Sequence, residues 1–469
     1  MKKLMLINPH EPGRFGEESI SVIVQMPLNL AYLAALTPPH WEVDIVDENV
    51  DLAVDPRTGL PTFGDADLVA VTGVTYHASR AYEIATACRK AGIPAVMGGI
   101  HATTMSDEAG KYFDSVVKFD AENVWTQVLQ DAEQGTLKPL YDGGAPDLGI
   151  LKNIWPNREL MRKKYSYEFS SIVTTKGCPL RCEFCSVPTF QPDFRQRPYE
   201  DVLDEMEATT YKGLMFAEDN FYGHSKRSNE RARSLFQGMV DRKVKKDWFG
   251  FTALNISEDP VALAAMAESG CFGMLLGIES TNPEVLKQMN KKVNLHLEYK
   301  TALDRIHSHG LIVWGSIIFG ADGDDKDCFK RMVDFIMDKG IDALTFGIEC
   351  ALPRTPLHRR LEAEGRIFRT NFPTDWKYYD TANLNHRVKG MTLTEFIEGM
   401  EYVYKSVYTT ERLRERFRIS LRKTGNARNS LFAYRVGQDW KQVFEQVLKN
   451  LRTMYDSGVY WNNYAGTGA

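Results

Sequence analysis

The feature that most constrains this chain is the repeated alternation of short apolar runs with segments of helix length. Within residues 1–142 these runs cover 4–8, 43–47, 68–75 and 94–98, and each is followed by polar or glycine-rich residues. Continuous apolar runs of this length are typical of strands in a parallel sheet that is buried on both faces. The pattern therefore predicts β/α units that start at the N-terminus.

A second series of apolar runs follows a weaker, proline-containing stretch at 143–165, which we interpret as a linker. The series has six runs, at 171–175, 213–216, 249–254, 274–278, 312–319 and 343–348. Helical patterns lie between the runs, for example at 199–209 and 282–289. Repeated β/α units of this kind predict a partial (β/α)6 barrel of the TIM type over residues 166–370.

Together these patterns predict an α/β protein in three parts. Residues 1–142 form a Rossmann-like domain, the barrel follows the linker, and residues 371–469 form a helical C-terminal region with helices at 392–405, 410–421 and 436–455. In the first domain, Ser79 is a predicted N-cap and Gly92 a predicted C-terminal stop of a crossover helix. Sheets of this kind bind ligands at the carboxyl ends of their strands, here the loops 9–16, 72–77 and 98–104.

Charge and composition exclude several classes of protein. The 57 basic residues are balanced by 62 acidic ones, for a net charge of −5, which disfavours nucleic acid as a main partner. The 7 cysteines are odd in number and sparse, which argues against a secreted disulfide scaffold and for a reducing cytosol. The apolar start is too short for a signal peptide, and no run is long enough to span a bilayer. We expect a cytoplasmic protein without stable membrane insertion.

The strongest chemical signal is a C-x3-C-x2-C loop directly after the first barrel strand. It contains Cys178, Cys182 and Cys185. Thiolates are the ligands of iron–sulfur clusters, and three of them on a four-iron cluster leave the fourth iron open for another ligand. A zinc site would need a second pair of Cys or His ligands at a defined spacing, and none is evident after Cys185. The remaining alternative is three unconnected buried cysteines.

This loop, with Phe184 before its last cysteine, resembles the signature of the radical S-adenosylmethionine (SAM) superfamily. The resemblance extends along the barrel, and residues 1–390 resemble the subgroup that has an N-terminal cobalamin-binding-type domain. It implies that the three cysteines hold a [4Fe-4S] cluster whose open iron is chelated by the amine and carboxylate of SAM. One electron then cleaves a C–S bond of the sulfonium, usually giving a 5′-deoxyadenosyl radical.

Segments at the ends of other barrel strands also resemble the superfamily. They are 216–220, 277–280, 318–323 and 352–357. The resemblance implies that SAM is contacted by Phe184, Asp219, Asn220, Glu279, Ser280 and Gly320. The alternatives are an N-cap or a surface acid for the polar residues, and an ordinary tight turn for Gly320.

The loops 72–77 and 98–104 resemble those that wrap a corrinoid and its nucleotide tail in the same subgroup. The residues implied to contact cobalamin are Gly73, Tyr76, Gly98, Gly99 and His101. Glycines allow the backbone to approach a large planar ligand, although they also serve close turns between helix and sheet. His10 is a further candidate, as a cobalt ligand or as an exposed loop residue. The sequence departs from the subgroup at 119–123, where Phe-Asp-Ala-Glu-Asn replaces a Gly-Glu-Ala-Glu turn.

The resemblance implies an enzyme that acts on a small-molecule substrate and takes one electron from an external donor such as flavodoxin or ferredoxin. The leading hypothesis is a cobalamin-dependent methyltransferase that acts on an unactivated centre of a natural-product, lipid or cofactor precursor. The alternatives are a corrinoid-independent enzyme of the same fold, which forms a bond or ring or transfers the 3-amino-3-carboxypropyl group of SAM, and a non-catalytic metal-stabilised module. Cys350, at the end of the sixth barrel strand, is a candidate for quenching or relaying a radical.

Overall fold

The computed structural model describes residues 1–10, 25–50, 54–55, 61–165, 167–296 and 298–458. The predicted loop 9–16 lies outside the described residues beyond His10. The N-terminal part contains β1 (Lys2–Asn8), α1 (Leu28–Leu36), β2 (Trp41–Asp47), β3 (Leu68–Thr72), α2 (Ala78–Ala91), β4 (Ala95–Gly98), α3 (Ile100–Thr104), α4 (Ser106–Ala109), β5 (Ser115–Lys118), α5 (Trp125–Gln134) and β6 (Leu140–Asp142).

These six strands form one parallel sheet in the order β2-β1-β3-β4-β5-β6. The order reverses at β1, which lies between β2 and β3, and such a switch point opens a crevice at the carboxyl ends of the strands. His10 follows β1, and the predicted loop 72–77 follows β3. The Rossmann-like fold is therefore confirmed, and two of the predicted ligand-binding loops begin after the strands at this switch point.

The second part of the chain contains the barrel. Its elements are α6 (Arg158–Arg162), β7 (Phe169–Ile172), β8 (Thr175–Lys176), α7 (Val187–Phe190), β9 (Arg195–Gln196), α8 (Tyr199–Ala208), β10 (Gly213–Phe216), α9 (Lys226–Asp241), β11 (Asp247–Thr252), α10 (Pro260–Glu268), β12 (Cys271–Glu279), α11 (Pro283–Gln288), α12 (Tyr299–Ser308), β13 (Ile312–Phe319), α13 (Cys328–Lys339), β14 (Ala343–Ile348) and α14 (Pro356–Ala363). The C-terminal helices are α15 (Leu393–Val407), α16 (Thr410–Thr424) and α17 (Ala427–Asp456).

Six strands form the barrel sheet, in the order β14-β13-β12-β11-β10-β7, and all neighbours are parallel. Each predicted run corresponds to one of these strands. Among the described residues, β7 and β14 do not pair with each other, so the barrel is open and the prediction of a partial (β/α)6 barrel is confirmed.

The C-terminal helices cover one side of the barrel. The long helix α17 packs against β13, β14, α15 and α16. Phe444 on α17 meets Phe346 of β14 edge-on, with ring centroids 5.5 Å apart, and Tyr408 lies beside both. Aromatic pairs of this geometry stabilise a core beyond their buried area, so α15 to α17 are part of the barrel's packing.

The predicted N-cap of α2 is wrong. The helix begins at Ala78 after His77, while the Ser79 hydroxyl donates to the carbonyl of Pro373, 2.9 Å away in the segment after the barrel. A serine that caps a helix accepts a hydrogen bond from an N–H of the first turn, whereas the Ser79 hydroxyl bonds to a distant segment of the chain. The predicted stop is confirmed, because Gly92 adopts a left-handed φ of 71° and its N–H bonds to the carbonyls of Cys88 and Arg89.

Residues 143–165 are docked on the barrel. They contain α6, whose Arg158 is buried and donates to Ser170 Oγ at 2.7 Å and to Glu205 Oε1 at 2.5 Å. Arg158 also donates to the carbonyl of Ser171 at 2.7 Å. These contacts join the segment to β7 and α8.

No helix in the described ranges combines the length and the apolar character that crossing a bilayer requires.

Candidate active site

The three cysteines lie on a loop that is closed at its base by a short antiparallel ribbon. Strands β8 and β9 pair Thr175 with Gln196 and Lys176 with Arg195. Gly177 opens the loop with a φ of 78°, and a Cβ on it would lie 2.3 Å from the carbonyl oxygen of Asp193. Only glycine fits this turn, so the ribbon and Gly177 together fix where the loop begins.

Contacts from other barrel loops hold the tip of the cysteine loop. The N–H of Glu183 donates to the carbonyl of Met289 at 3.0 Å, and the N–H of Leu357 donates to the carbonyl of Glu183 at 3.1 Å. The Glu183 carboxylate accepts from Arg360 at 2.7 Å. The loop is thus tied to the segments that follow β12 and β14.

A cavity of about 190 Å³ lies between this loop and the carboxyl ends of the barrel strands. The lining includes the three cysteines, Phe184 of the same loop, and residues at or near the ends of neighbouring strands. These residues are Cys178, Cys182, Cys185, Phe184, Asp219, Asn220, Gly277, Glu279, Lys291 and Ser316. Four of the six residues that the sequence predicts for SAM, Phe184, Asp219, Asn220 and Glu279, are therefore brought together. The structure places Ser280 and Gly320 outside this lining.

Burial disfavours the thiolate form of all three cysteines in the loop. Burial raises the pKa of Cys178 to about 11 and that of Cys185 to about 12, and it raises the pKa of Cys182 as well, although the Lys291 ammonium opposes it there. Such thiols become thiolates only when a metal replaces their protons. A cluster would therefore displace protons when it binds this loop.

The donor set fits an iron–sulfur cluster. Within the described residues no group of three His, Cys, Asp or Glu side chains is arranged to hold a single metal ion. A four-iron cluster offers a different iron to each thiolate, so three cysteines around one cavity suit it, whereas zinc would need four converging ligands.

An ion pair that the sequence analysis missed lies beside the cysteines. Lys291 Nζ is 2.8 Å from Glu279 Oε1, and the side chain of Glu279 is buried while that of Lys291 is 13% exposed. Burial alone would lower the pKa of Lys291, but the Glu279 carboxylate raises it, so the ammonium keeps its charge. A lone lysine after a helix gives no sequence signal, because only the fold brings it to the end of β12.

The backbone of β12 is shaped to make room for this pair. Glu279 has a φ of 62°, and the pairing of β12 with β13 shifts register between Gly277 and Glu279. A Cβ on Gly277 would lie 2.4 Å from Glu279 Oε1 and 2.6 Å from Lys291 Nζ. Asn294 holds the bulge by donating to the carbonyls of Gly277 and Ile278, at 2.8 and 2.9 Å. A strained non-glycine residue at a strand end is typical of functional sites.

The acidic end of β10 divides its side chains between the cavity and the protein interior. Asp219 lines the cavity, and the surrounding protein raises its pKa to about 6. Glu218 points away, accepts from the N–H of Thr174 at 3.0 Å, and has a pKa that burial raises to about 7. Asn220 is buried, and its Oδ1 accepts from the N–H of Tyr222 at 3.3 Å. Asp219 is therefore the acidic side chain of this strand end that lines the cavity.

Phe184 links two small apolar clusters at the edge of the cavity. One contains Val285 and Ala321, and the other contains Ala351 and Leu357. The aromatic ring therefore lies between the segments that follow β13 and β14. Gly320 lies beside the first of these clusters, with a φ of 94°, and its N–H donates to Asp324 Oδ2 at 3.0 Å.

Cys350 lies in a different environment. It is buried in an apolar cluster with Trp376 and Tyr379, and its sulfur accepts from Asn385 Nδ2 at 3.3 Å. Burial raises its pKa well above the usual range, so the thiol is neutral. Cys350 is not among the residues that line the cavity, and its role in relaying a radical stays a prediction.

The residues predicted to contact cobalamin gather at the edge of β3 and β4. A Cβ on Gly73 would lie 3.4 Å from Met97 and 3.5 Å from His77, and one on Gly98 would lie 3.9 Å from the carbonyl oxygen of Val117. A Cβ on Gly99, with a φ of 93°, would lie only 2.8 Å from Thr72 Oγ1, so Gly99 serves the close approach of two loops. Gly73 is buried and Gly98 is half-buried. Tyr76 is half-buried on the turn after β3.

The histidine candidates of this domain differ in access. His101 is fully buried, and its Nε2 lies 2.8 Å from the Tyr82 hydroxyl and 3.8 Å from Glu108 Oε1. Its ring also packs edge-on against Trp376. His10 is half-buried at the end of β1, with Nδ1 3.2 Å from Asn49 Oδ1. The surroundings of His101 are those of a structural residue, and the loop that holds His10 continues outside the described residues.

Comparison with known families and sequences identifies relatives. Residues 172–336 match the radical SAM superfamily. A bacteriochlorophyllide d C-12(1)-methyltransferase of Chlorobaculum tepidum is 31% identical over 87% of this chain and 87% of its own length. A hopanoid C-2 methylase of Rhodopseudomonas palustris is 27% identical over 73% of this chain and 65% of its own length.

Two solved structures have a similar fold. One is the radical SAM methyltransferase TsrM of Kitasatospora setae, described with cobalamin and a [4Fe-4S] cluster bound, with a TM-score of 0.58 at 20% identity over 79% of this chain and 80% of that chain. The other is the cobalamin-dependent SAM radical enzyme OxsB with aqua-cobalamin bound, with a TM-score of 0.65 at 14% identity over 99% of this chain and 82% of that chain. At these identities the likeness concerns the fold.

Proposed function

The chain belongs to the radical SAM superfamily, and from that premise we propose that it is a cobalamin-dependent methyltransferase. The superfamily's cofactors are a [4Fe-4S] cluster and SAM. The observation that carries the proposal is the pairing of the cysteine-lined cavity of the barrel with a parallel N-terminal sheet whose strand order reverses at β1. The first suits a cluster with SAM, and the second suits a large planar cofactor.

When bound, the cluster supplies the electron that breaks a C–S bond of SAM, and a corrinoid supplies a transferable methyl group. The chain's own part is to hold, orient and exclude water. We assign Cys178, Cys182 and Cys185 to the cluster. Glu279, held by Lys291, presents a fixed carboxylate to the polar atoms of SAM, while Asp219 and Asn220 line the neighbouring wall.

The aromatic and apolar wall has a separate task. Phe184 and the apolar residues around it cover one side of the cavity, and their packing keeps water from the bond that is broken. We also assign Ser280 and Gly320, at the rims of β12 and β13, to SAM. Both assignments depend on the strand-end positions of these residues.

We assign the corrinoid to residues 1–142, with the barrel at 166–370 and the helical region at 371–469. The support is the placement of Gly73 and Gly98 at the ends of β3 and β4, the Tyr76 turn beside them, and the fold shared with two cobalamin-bound enzymes. His101 acts as a buried support of α3 rather than as a cobalt ligand, since its ring is enclosed by Tyr82 and Trp376.

The substrate we propose is a small molecule with an unactivated carbon, of the natural-product, lipid or cofactor-precursor class. The two relatives reported above are named for methylating bacteriochlorophyllide d and a hopanoid. An external one-electron donor such as flavodoxin or ferredoxin completes the reaction, because the cluster must be reduced in each turnover.

Analysis of the products of SAM tests this proposal. We expect the reconstituted protein, incubated without oxygen with SAM, cobalamin and a chemical reductant, to release 5′-deoxyadenosine together with S-adenosylhomocysteine. The first product reports reductive cleavage, and the second reports transfer of the SAM methyl group. Liquid chromatography with mass detection measures both. Methylthioadenosine as the main product would contradict methyl transfer and indicate transfer of the 3-amino-3-carboxypropyl group.

A further inference from the structure

The ribbon at the base of the cysteine loop places two like charges opposite each other. Lys176 of β8 and Arg195 of β9 are a directly paired cross-strand residue pair. Like charges in this position destabilise a strand pair, and each strand here is only two residues long. The ribbon therefore needs a partner to stay closed.

That partner comes from the N-terminal domain. Asp120 Oδ1 lies 3.1 Å from Lys176 Nζ, and Asp120 Oδ2 lies 2.6 Å from Arg195 Nη1. Glu122 adds a second contact to Lys176 at 2.9 Å. Exposed fractions of 3% for Asp120, 9% for Arg195 and 16% for Lys176 show that these charges are largely removed from water. Loss of one partner of a buried ion pair strongly destabilises the fold, because the other charge is left uncompensated.

Further hydrogen bonds hold Asp120 and Arg195 in position. Gln191, in the cysteine loop, donates to Asp120 Oδ1 at 3.0 Å, and Arg195 also donates to the carbonyl of Pro146 at 2.7 Å. A Cβ on Gly143 would lie 2.0 Å from the carbonyl oxygen of Asp120, so the turn that contains Asp120 is closely packed. Phe119, just before it, has a left-handed φ of 59°.

The same turn also touches the region assigned to the corrinoid. The N–H of Phe119 donates to Thr103 Oγ1 at 2.9 Å, and Thr103 lies on α3, directly after Gly98 and Gly99. Helix α3 packs in turn against α7, which follows Cys185 in the cysteine loop. Two contiguous routes therefore join the end of β4 to the cysteine loop, one through α7 and one through Asp120.

We propose that Asp120 and Glu122 form an acidic clasp that positions the cysteine loop, so that the N-terminal domain completes the iron–sulfur site of the barrel. Asp120 is a positioning residue, since it acts through Lys176 and Arg195 and touches none of the three cysteines. The clasp concerns the cysteine loop alone, and it holds that loop whether or not a corrinoid is bound.

Asp120→Asn tests the clasp because it removes the charge and keeps the shape. In the anaerobically reconstituted full chain, we expect a chelator to extract iron about tenfold faster, the change expected when local opening no longer breaks a charged hydrogen bond. We also expect the midpoint potential of the cluster to rise, because the unneutralised cations beside the loop favour the more negative, reduced cluster.

The double variant Asp120→Asn/Arg195→Gln distinguishes a charge effect from simple damage. It removes one acid and one base, so we expect the midpoint potential to return toward that of the unmodified chain. Glu122→Gln serves if Asp120→Asn does not fold, and a smaller rise in potential is expected from it. Asp131→Asn is the matched control, because Asp131 is a buried acid of the same domain whose partners, Gln127, Lys138 and Tyr141, lie away from the ribbon.

An unchanged potential and iron-release rate in Asp120→Asn would overturn the clasp, as would an equal effect of Asp131→Asn. Neither result would touch the proposed methyl transfer, which is measured separately by the products of SAM. A chain that holds the cluster and responds to Asp120→Asn, but makes no S-adenosylhomocysteine, would support the clasp and contradict the methyltransferase.

Discussion

Cys182→Ala is expected to abolish both the cluster and the cleavage of SAM. Anaerobic reconstitution of the unmodified chain should give about four irons per chain, whereas the variant should lose most of its iron and the visible absorption of the cluster. Substituting a residue that only supports a metal ligand costs about 10- to 100-fold in affinity or activity, so loss of a ligand should lower 5′-deoxyadenosine formation by more than about a hundredfold. Iron analysis and product analysis measure the two effects.

The control for this variant is another buried cysteine. Cys88 lies on α2 in the core of the N-terminal domain, and burial raises its pKa to about 12, so it behaves as a small apolar residue. Cys88→Ala should keep its iron and its activity. Zinc in place of iron in the unmodified chain, or a full complement of iron in Cys182→Ala, would contradict the assignment of the three cysteines.

Glu279→Gln is expected to weaken SAM binding while the cluster remains. Removing one partner of a buried charge pair leaves the other uncompensated, and such losses lower affinity by at least about tenfold. Lys291 would be left as a buried cation, and the cationic sulfonium of SAM would enter a cavity with one negative charge fewer. Equilibrium binding of SAM to the reconstituted protein measures the affinity, and the iron content shows that the cluster is kept.

Two further variants show whether a loss of SAM affinity comes from a direct contact between Glu279 and SAM. Glu279→Gln/Lys291→Met restores charge balance, so stability should recover while SAM affinity stays low if Glu279 itself contacts SAM. Glu284→Gln removes the acid of an exposed pair with Lys287 on α11, 2.7 Å apart, and should change little because exposed pairs contribute little. Unchanged SAM affinity in Glu279→Gln would refute the role of this carboxylate.

The fold could be predicted from sequence wherever strands were long and apolar. All six barrel strands and the first four strands of the N-terminal sheet correspond to predicted runs, and α15 to α17 correspond to predicted helices. β5 and β6 were missed because each contains only two consecutive apolar residues, too few to stand out as an apolar run. The ribbon of β8 and β9 was missed as well, although it defines the base of the cysteine loop.

Residues of the site could be predicted where they belong to a motif that the sequence itself shows. The spacing of the cysteines and the polar strand ends marked Cys178, Asp219 and Glu279, which the structure brings to one cavity. Lys291 belongs to no motif, and the departure at 119–123 did not reveal that Asp120 pairs with a lysine 56 residues away along the chain. The isolated charges that neutralise a site across domains are defined only by the fold.

The departure at 119–123 gains a physical meaning in the structure. Phe119 takes a left-handed conformation, and the acids that follow it reach the ribbon at the base of the cysteine loop. A bulky residue is unfavourable in this conformation, so its neighbours must hold it there. The contacts of Phe119 N–H with Thr103 and of Asp120 with Lys176 are the ones that do so.

The measurement that tests the proposed function most directly is the retention of cobalamin. The reconstituted full chain is mixed with hydroxocobalamin without oxygen, passed through gel filtration, and the corrinoid that elutes with the protein is measured by its visible absorption. We expect stoichiometric cobalamin in the protein fractions, in the unmodified chain and in Cys182→Ala alike, because we assign cobalamin to the N-terminal domain and the cluster to the barrel. Protein that elutes with its cluster but without cobalamin would contradict a cobalamin-dependent methyltransferase.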